Sequence, residues 1–294
     1  MAAARQALTL RSPEGVLGRI ARVDKTFVKG LALLETLARS EAPRGVTELS
    51  RDLELTKSNV HRLLQTLQEC GYIENDGSGK YFPTLKAWEL GCDIWGRSAL
   101  KRASSPFVDH LARRTGQLVH VVVAAGEDLI CVEQVGPPSP NPFRRFTPVG
   151  ARVRCWEFVP GGHDLIAIQV AYLAVLPPRE LRRAIDLVVA SSNRSITRRD
   201  LAARVQLAHE RGYALNRGEW IDEIRGAAAA FLRADGQPAG VLGLIGHAAT
   251  ASDPMLLDRW GQLTMEAASG VSLALGWKPG RSAKDAKPVI PAAA

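Results

Sequence analysis

Ser58, His61, Arg62 and Gln65 recur at three- and four-residue steps in the run TKSNVHRLLQTLQE, residues 56–69. At 100° per residue these four side chains, with Glu69, fall on one side of a helix. Their common chemistry is hydrogen bonding to a flat edge. A guanidinium offers two parallel donors, and the hydroxyl, imidazole and amide both give and accept, which suits base edges in the major groove of DNA. Lys57, and Lys80 further along, suit phosphate oxygens. Thr47 and Asn59 complete the candidate contact set. An ordinary amphipathic surface helix has the same periodicity, so the helix alone does not separate the two readings.

The surrounding elements shift that balance. Thr56 is a suitable N-cap, and Val60, Leu63, Leu64 and Leu67 form the apolar face opposite the polar one. Cys70-Gly71 predicts a stop, with Gly71 in the left-handed position. Tyr72-Ile73 opens a strand, Asp76-Gly77-Ser78-Gly79 is turn chemistry, and Tyr81-Phe82 starts the return strand. Upstream, Thr47 predicts the cap of a short helix with Leu49 and Leu53 inward, and Glu54-Leu55-Thr56 turns the chain into the next helix. Residues 28–38 supply a further helix, with Val28, Leu31, Leu34 and Leu37 on one face. Three helices and a hairpin make a winged helix-turn-helix.

The block LTKSNVHRLLQTLQECGYIE, with VKGLALLETLA before it and GKYFPTLKAWELG after it, closely resembles the N-terminal domain of the IclR family of bacterial transcriptional regulators. The resemblance continues more weakly to about Trp277. It implies an α+β protein in which a winged helix-turn-helix domain (27–84), a linker and dimerisation helix (85–100) and a GAF-like effector-binding domain (101–277) follow one another. The implied partners are a double-stranded DNA operator, a small organic effector and further copies of the chain, as a homodimer or a dimer of dimers. No cofactor, metal or membrane is expected.

Composition agrees. The chain has 294 residues, 46% hydrophobic and 23% charged, with a formal net charge of +8, which favours acidic partners such as nucleic acid. Cys70, Cys92, Cys131 and Cys155 lack metal-site or disulfide spacing. No apolar run is long enough for a membrane span, and the first residues lack the apolar core of a signal peptide. A reducing bacterial cytoplasm is the expected location. Residues 30–102 carry ten basic and ten acidic side chains, so the basic surplus of the N-terminal third sits in an arm, 1–26, with Arg5, Arg11, Arg19 and Arg22. That arm reads either as extra phosphate or minor-groove contact or as a disordered, solubilising tail. Residues 278–294, rich in Pro, Lys and Ala, also read as disordered.

In the second domain, a helix capped by Ser104 or Ser105 with Pro106 in its first turn is predicted up to Gly116. Strands follow at 118–124 and 129–135, helices at 163–176, 178–190 and 197–211, strands at 213–220, 225–233 and 239–246, and a last helix at 254–275. Helices on one side of a mostly antiparallel sheet are the expected arrangement. The resemblance places effector contacts at two patterns, and this chain departs from both. Trp156, Glu157, Phe158, Gly162 and His163 stand where the family has L-H-A-T-A and G-K. Asn216 stands where it has an acid, and Gly226 where it has a cysteine. Loss of that side chain predicts a roomier cleft, and Trp156 or Phe158 can fill it or stack on a ring. Arg144, Arg145, Arg152 and Arg154 are candidates to attract a carboxylate, or surface residues.

Neither a G-x-S-x-G elbow, an H-E-x-x-H pair nor a Walker glycine loop occurs, and the lone histidines read as structural, which argues against an enzyme. Two alternatives stay open: a constitutive DNA binder whose second domain only oligomerises, and a redox sensor working through Cys131 or Cys155.

Overall fold

The structure is a computed structural model that describes residues 24–126, 128–136, 147–154, 166–191, 196–219 and 221–279. The predicted arm before Asp24, the tail after Pro279, Cys155 through His163 and the Arg144–Arg145 pair lie outside those residues. Two compact units meet in sequence between Arg97 and Ser98.

The first unit opens with α1 (Lys25–Arg39), capped by Asp24, whose carboxylate accepts from the Thr26 and Phe27 amides. Helix α2 (Val46–Asp52) and α3 (Lys57–Glu69) follow, with β1 (Arg44–Gly45), β2 (Ile73–Asn75) and β3 (Lys80–Pro83) in an antiparallel sheet ordered β1-β3-β2. Leu33, Leu37, Leu49, Val60, Leu63, Leu64, Ile73 and Tyr81 form its core. The expected inner face of α1 is turned by part of a turn: Leu33 and Leu37 are buried, whereas Leu31 is 46% exposed. Residues 28–38 are apolar on several sides, so spacing alone does not single out the inner face, and packing in the first unit's core selects Leu33 and Leu37. Gly45, not Thr47, is the N-cap of α2, and Glu48 reaches back to accept the Gly45 amide at 3.0 Å. Strand β1 had no signal at all, being two residues held by Tyr81 and Lys80 of the wing.

Glu54, in the turn between α2 and α3, sits at φ 52°, the one non-glycine residue with positive φ among the described residues. The left-handed region costs a side chain about 1–2 kcal/mol, while glycine costs roughly 0.5–1 kcal/mol of chain entropy. Glu54→Gly is therefore expected to leave stability unchanged or raise it by up to about 1.5 kcal/mol, read from the urea midpoint. A clear loss would mean that the Glu54 side chain holds the turn.

Helix α4 (Lys86–Gly96) ends the first unit, and α5 (Ala99–Thr115) begins the second. Ser98 caps α5 by accepting the Leu100 amide, so Ser104 is a buried interior residue and Pro106 lies mid-helix. The expected start at Ser104 or Ser105 is wrong because one proline removes a single ladder bond, and a helix packed along one face absorbs that loss.

The second unit is a six-stranded antiparallel sheet ordered β6-β5-β4-β9-β8-β7. Its strands are β4 (Leu118–Ala125), β5 (Asp128–Val135), β6 (Arg152–Arg154), β7 (Ala214–Asn216), β8 (Ile224–Leu232) and β9 (Pro238–His247). Helices α6 (Ala167–Leu173), α7 (Pro178–Ser191), α8 (Arg198–Arg211) and α9 (Pro254–Ala274) complete it. Helices cover both faces, not one. Gly243 and Gly246, three apart on β9, point to opposite sides: a Cβ on Gly243 would meet Ile168 of α6 at 3.0 Å, and one on Gly246 would meet Trp260 of α9 at 2.5 Å. A strand buried on both sides reads as a continuous apolar run, which is what Ala227–Phe231 and Ala239–Ile245 are. Strand β7 is shorter than predicted because Asn216 Oδ1 accepts the Gly218 amide at 2.9 Å and turns the chain away.

Candidate functional site

In the first unit the polar face of α3 is open. Thr56 Oγ1 accepts the Asn59 amide, and Val60, Leu63 and Leu64 are buried. Lys57, Ser58, His61, Arg62 and Gln65 are exposed, and Asn59 is half-buried at their edge. Arg62 Nη2 donates to Asn59 Oδ1 at 3.3 Å, and the Ser58 and Thr56 hydroxyls lie 3.2 Å apart. The face therefore presents one loosely held guanidinium flanked by small hydroxyl and amide groups. The helix ends in a Schellman motif: the Tyr72 amide bonds to the Leu67 carbonyl and the Gly71 amide to Gln68, with Gly71 at φ 75°. Lys80 is exposed at the start of β3, and Thr47 is exposed on α2.

Two carboxylates hold this scaffold. Asp76 Oδ1 accepts from Ser78 Oγ, the Ser78 amide and the Lys80 amide, which shapes the wing tip. Hydrogen bonds from Ser78 keep its carboxyl below the ordinary value. Glu48 is likewise depressed, first by the Gly45 amide and then by Arg44. Arg44, missed in the sequence, also bonds Ser40 and Asp52 and so joins α1, α2 and β1. A depressed carboxylate stabilises the fold fully above its unfolded pKa, and the contribution disappears as pH falls through the folded value. The first unit is expected to weaken below about pH 4, and Glu48→Gln and Asp76→Asn should each flatten that acid limb in melts monitored across pH.

In the second unit, Asn216 and Gly226 are direct neighbours across the β7–β8 pair. Both lie on the α6 side of the sheet, in step with Ala214 and Ala228, which are buried in that layer. With Thr147, Ile168 and Gly243 they border a cavity of about 20 Å³, room for about one water. Asn216 is 5% exposed. Its Oδ1 accepts the Gly218 amide, and its NH₂ remains able to donate to a ligand. Gly226 does not widen the cleft as the missing side chain predicts. A Cβ there would stand 2.7 Å from the Leu244 carbonyl oxygen, so the neighbouring strand has closed on it.

His120 and Gln134, on the strands expected at 118–124 and 129–135, lie beside this cavity. His120 is fully buried and pairs with Gly243 across β4–β9. Gln134 Nε2 donates to the Thr147 carbonyl at 2.6 Å and lies 3.1 Å from His120 Nε2. The available signal was a histidine at 120 in step with Val122 on the inner face. Arg152 is not turned to a ligand: it pairs with Asp128 at 2.9 Å on the sheet edge. Cys131 is buried, and burial pushes its thiol up to about 11, so it is no reactive thiolate. A larger groove of about 410 Å³ lies on the other layer, between α5 and α9, floored by Leu111, Leu263 and Ala267; it is open, and its rim holds an Arg114–Glu266 ion pair. Among the described residues no cluster of His, Cys, Asp and Glu could hold a metal, and no helix is long and apolar enough to cross a membrane.

Residues 26–77 match the IclR helix-turn-helix domain, and residues 93–273 match the C-terminal domain of bacterial IclR regulators. The HTH-type transcriptional repressor AllR of Salmonella typhimurium is 23% identical over 258 residues, covering 85% of this chain and 90% of the repressor. An IclR family regulator from Brucella abortus has the same fold, with a TM-score of 0.70 at 21% identity over 90% of this chain and 99% of that one. An IclR homologue from Microbacterium hydrocarbonoxydans, solved with 4-hydroxybenzoate, superposes with a TM-score of 0.64 at 17% identity over 85% of this chain and 99% of that one.

Proposed function

The chain belongs to the IclR family of bacterial transcriptional regulators, ligand-responsive DNA-binding proteins, and on that premise we propose how its own residues read DNA and sense a ligand. Ser58, His61, Arg62 and Gln65 contact base edges in the major groove, with Asn59 orienting Arg62, while Lys57, Thr47 and the wing's Lys80 contact phosphate. The observation that carries this is the open polar face of α3, on which the Arg62 guanidinium has one hydrogen bond among the described residues, to Asn59. Two such faces, one from each of two copies, meet a pseudo-palindromic operator. The exposed Leu85, Trp88, Leu90 and Ile94 of the α4 segment support pairing through that helix, because so many large exposed apolar side chains on one short helix are rare on an isolated surface. Whether two or four copies assemble, a cytoplasmic location follows from work on DNA.

The effector is a small carboxylate or phenol bound near Asn216, whose NH₂ can donate to an anionic or carbonyl oxygen. The 4-hydroxybenzoate held by the Microbacterium homologue supports that class. Trp156, Glu157, Phe158, Gly162 and His163 are carried into the same site by the resemblance alone. Ligand binding that differs between two arrangements of the assembly changes the separation of the reading helices. The cavity's volume of about 20 Å³ favours the second reading, a constitutive binder whose C-terminal domain only assembles. One experiment separates them. Duplexes selected from a random library by the full chain are titrated with and without a panel of aromatic and aliphatic carboxylates that raise its melting temperature. Selection of a two-fold sequence whose affinity responds to a carboxylate is the expected result. Selection without any response leaves the constitutive reading, and no selection overturns both.

A further inference from the structure

The last carbonyls of a helix have no partner within it. At the end of α3 the Schellman bonds satisfy Leu67 and Gln68, and two further acceptors, Cys70 and Gly71, are met from the next element instead. Lys86 Nζ donates to the Cys70 carbonyl at 2.6 Å, and Thr84 Oγ1 donates to the Gly71 carbonyl at 2.7 Å. The Thr84 hydroxyl also accepts the Lys86 amide at 3.2 Å, which starts α4, and the Thr84 amide donates to the Tyr72 carbonyl at 2.9 Å. The Lys86 ammonium lies 5.1 Å from the centroid of the Tyr72 ring, itself packed on the core of the first unit. Helix α4 has no buried residue along its length. Only Trp95, near its far end, is half-buried, so at the start of the helix these bonds are the described contacts that set its direction.

We propose that Thr84 and Lys86 are positioning residues that clamp α4 to the C-terminal end of the DNA-reading helix. With the clamp closed, α3 and the start of α4 move as one body, so the pose of α4 fixes where α3 points. In an assembly of two copies the separation of the two reading helices, and hence the half-site spacing it accepts, follows from α4. The inference rests on the DNA-reading role proposed above.

The test compares the duplex selected by the wild-type full chain with versions carrying one base pair more or fewer between the half-sites. Wild type is expected to prefer the selected spacing. Thr84→Val/Lys86→Met removes both bonds without adding bulk, and the preference ratio is expected to fall by about tenfold or more, the scale of two net hydrogen bonds. Thr84→Ser, which keeps the hydroxyl, should restore the ratio lost in Thr84→Val. Residues that only stabilised the unit would lower the melting temperature and affinity alike on every spacing and leave the ratio unchanged; that outcome overturns the clamp. If the double variant is too unstable to assay, the near-isosteric Thr84→Val decides by the same ratio. A wild-type chain that selects no two-part duplex overturns the reading on which the clamp depends, whereas an unchanged ratio in the variants overturns the clamp alone.

Discussion

Arg62→Ala is expected to weaken binding to the selected operator by about 1–3 kcal/mol, roughly 5- to 150-fold, while binding to random duplex changes far less. The argument starts at Val60, Leu63 and Leu64, whose burial fixes which side of α3 is turned outward. Arg62 is then the one guanidinium on that side, two residues past the first turn that Thr56 caps. Its single described hydrogen bond, to Asn59 at 3.3 Å, is long and exposed, so a base edge with two acceptors competes for it at little cost. A bidentate base contact carries discrimination, whereas a phosphate contact does not. Affinities on operator and random duplex, each measured across salt, separate these roles. Equal losses on both, with the log–log salt slope falling by about 0.9, would make Arg62 a phosphate contact and move the reading role to Ser58, His61 and Gln65.

The two units differ in how far the sequence revealed them, and the reasons are physical. Helix α3, its cap, its stop and the wing turn are specified by neighbours within four residues: Thr56 and Asn59, Gly71 and Gln68, Asp76 and Ser78. Such local bonds are visible as spacing. The inner face of α1 was not, because residues 28–38 are apolar on several sides and only packing against the rest of the unit selects Leu33 and Leu37. Strand β1 and the Arg44 network were hidden for the same reason, since Tyr81 and Asp52 reach Arg44 only in the fold. Pro106 was misread as a helix start by a rule about propensity that burial of Val108 and Leu111 overrides. In the cleft, Asn216 and Gly226 could be named by resemblance, and the sheet does set them side by side. Their meaning could not be read, because what matters is the backbone of β9 beyond them. Thr147 and Gln134 join the same region through a bond spanning thirteen residues, which no motif announces.

Gly226→Cys is expected to destabilise the second unit by about 1–3 kcal/mol, the usual range for forcing a group into a filled site. The residue's φ is not in the left-handed region, so a need for glycine's special backbone angles is not the reason. The reason is approach: a Cβ would lie 2.7 Å from the Leu244 carbonyl oxygen and 3.9 Å from Asn216 Cβ. That oxygen is backbone in the β8–β9 ladder, where Ala227 pairs with Leu244 and Gly226 with Ile245, so it cannot swing aside as a side-chain tip would. The resemblance puts a cysteine at this position in relatives of the same fold. Here the side chain is gone and the neighbouring strand stands in its space, which leaves about 20 Å³ beside Asn216 and Ile168. Removing a side chain enlarges a cleft only if its walls stay put. Because the collision begins at Cβ, Gly226→Ala should show most of the same loss, and each kcal/mol lowers Tm by about 2–4 °C in a domain of this size. Operator affinity well below the melting transition should be kept, since α3 belongs to the other unit. If Gly226→Ala melts with wild-type behaviour, the strands relax around a methyl, and the cysteine's effect would be confined to the effector response.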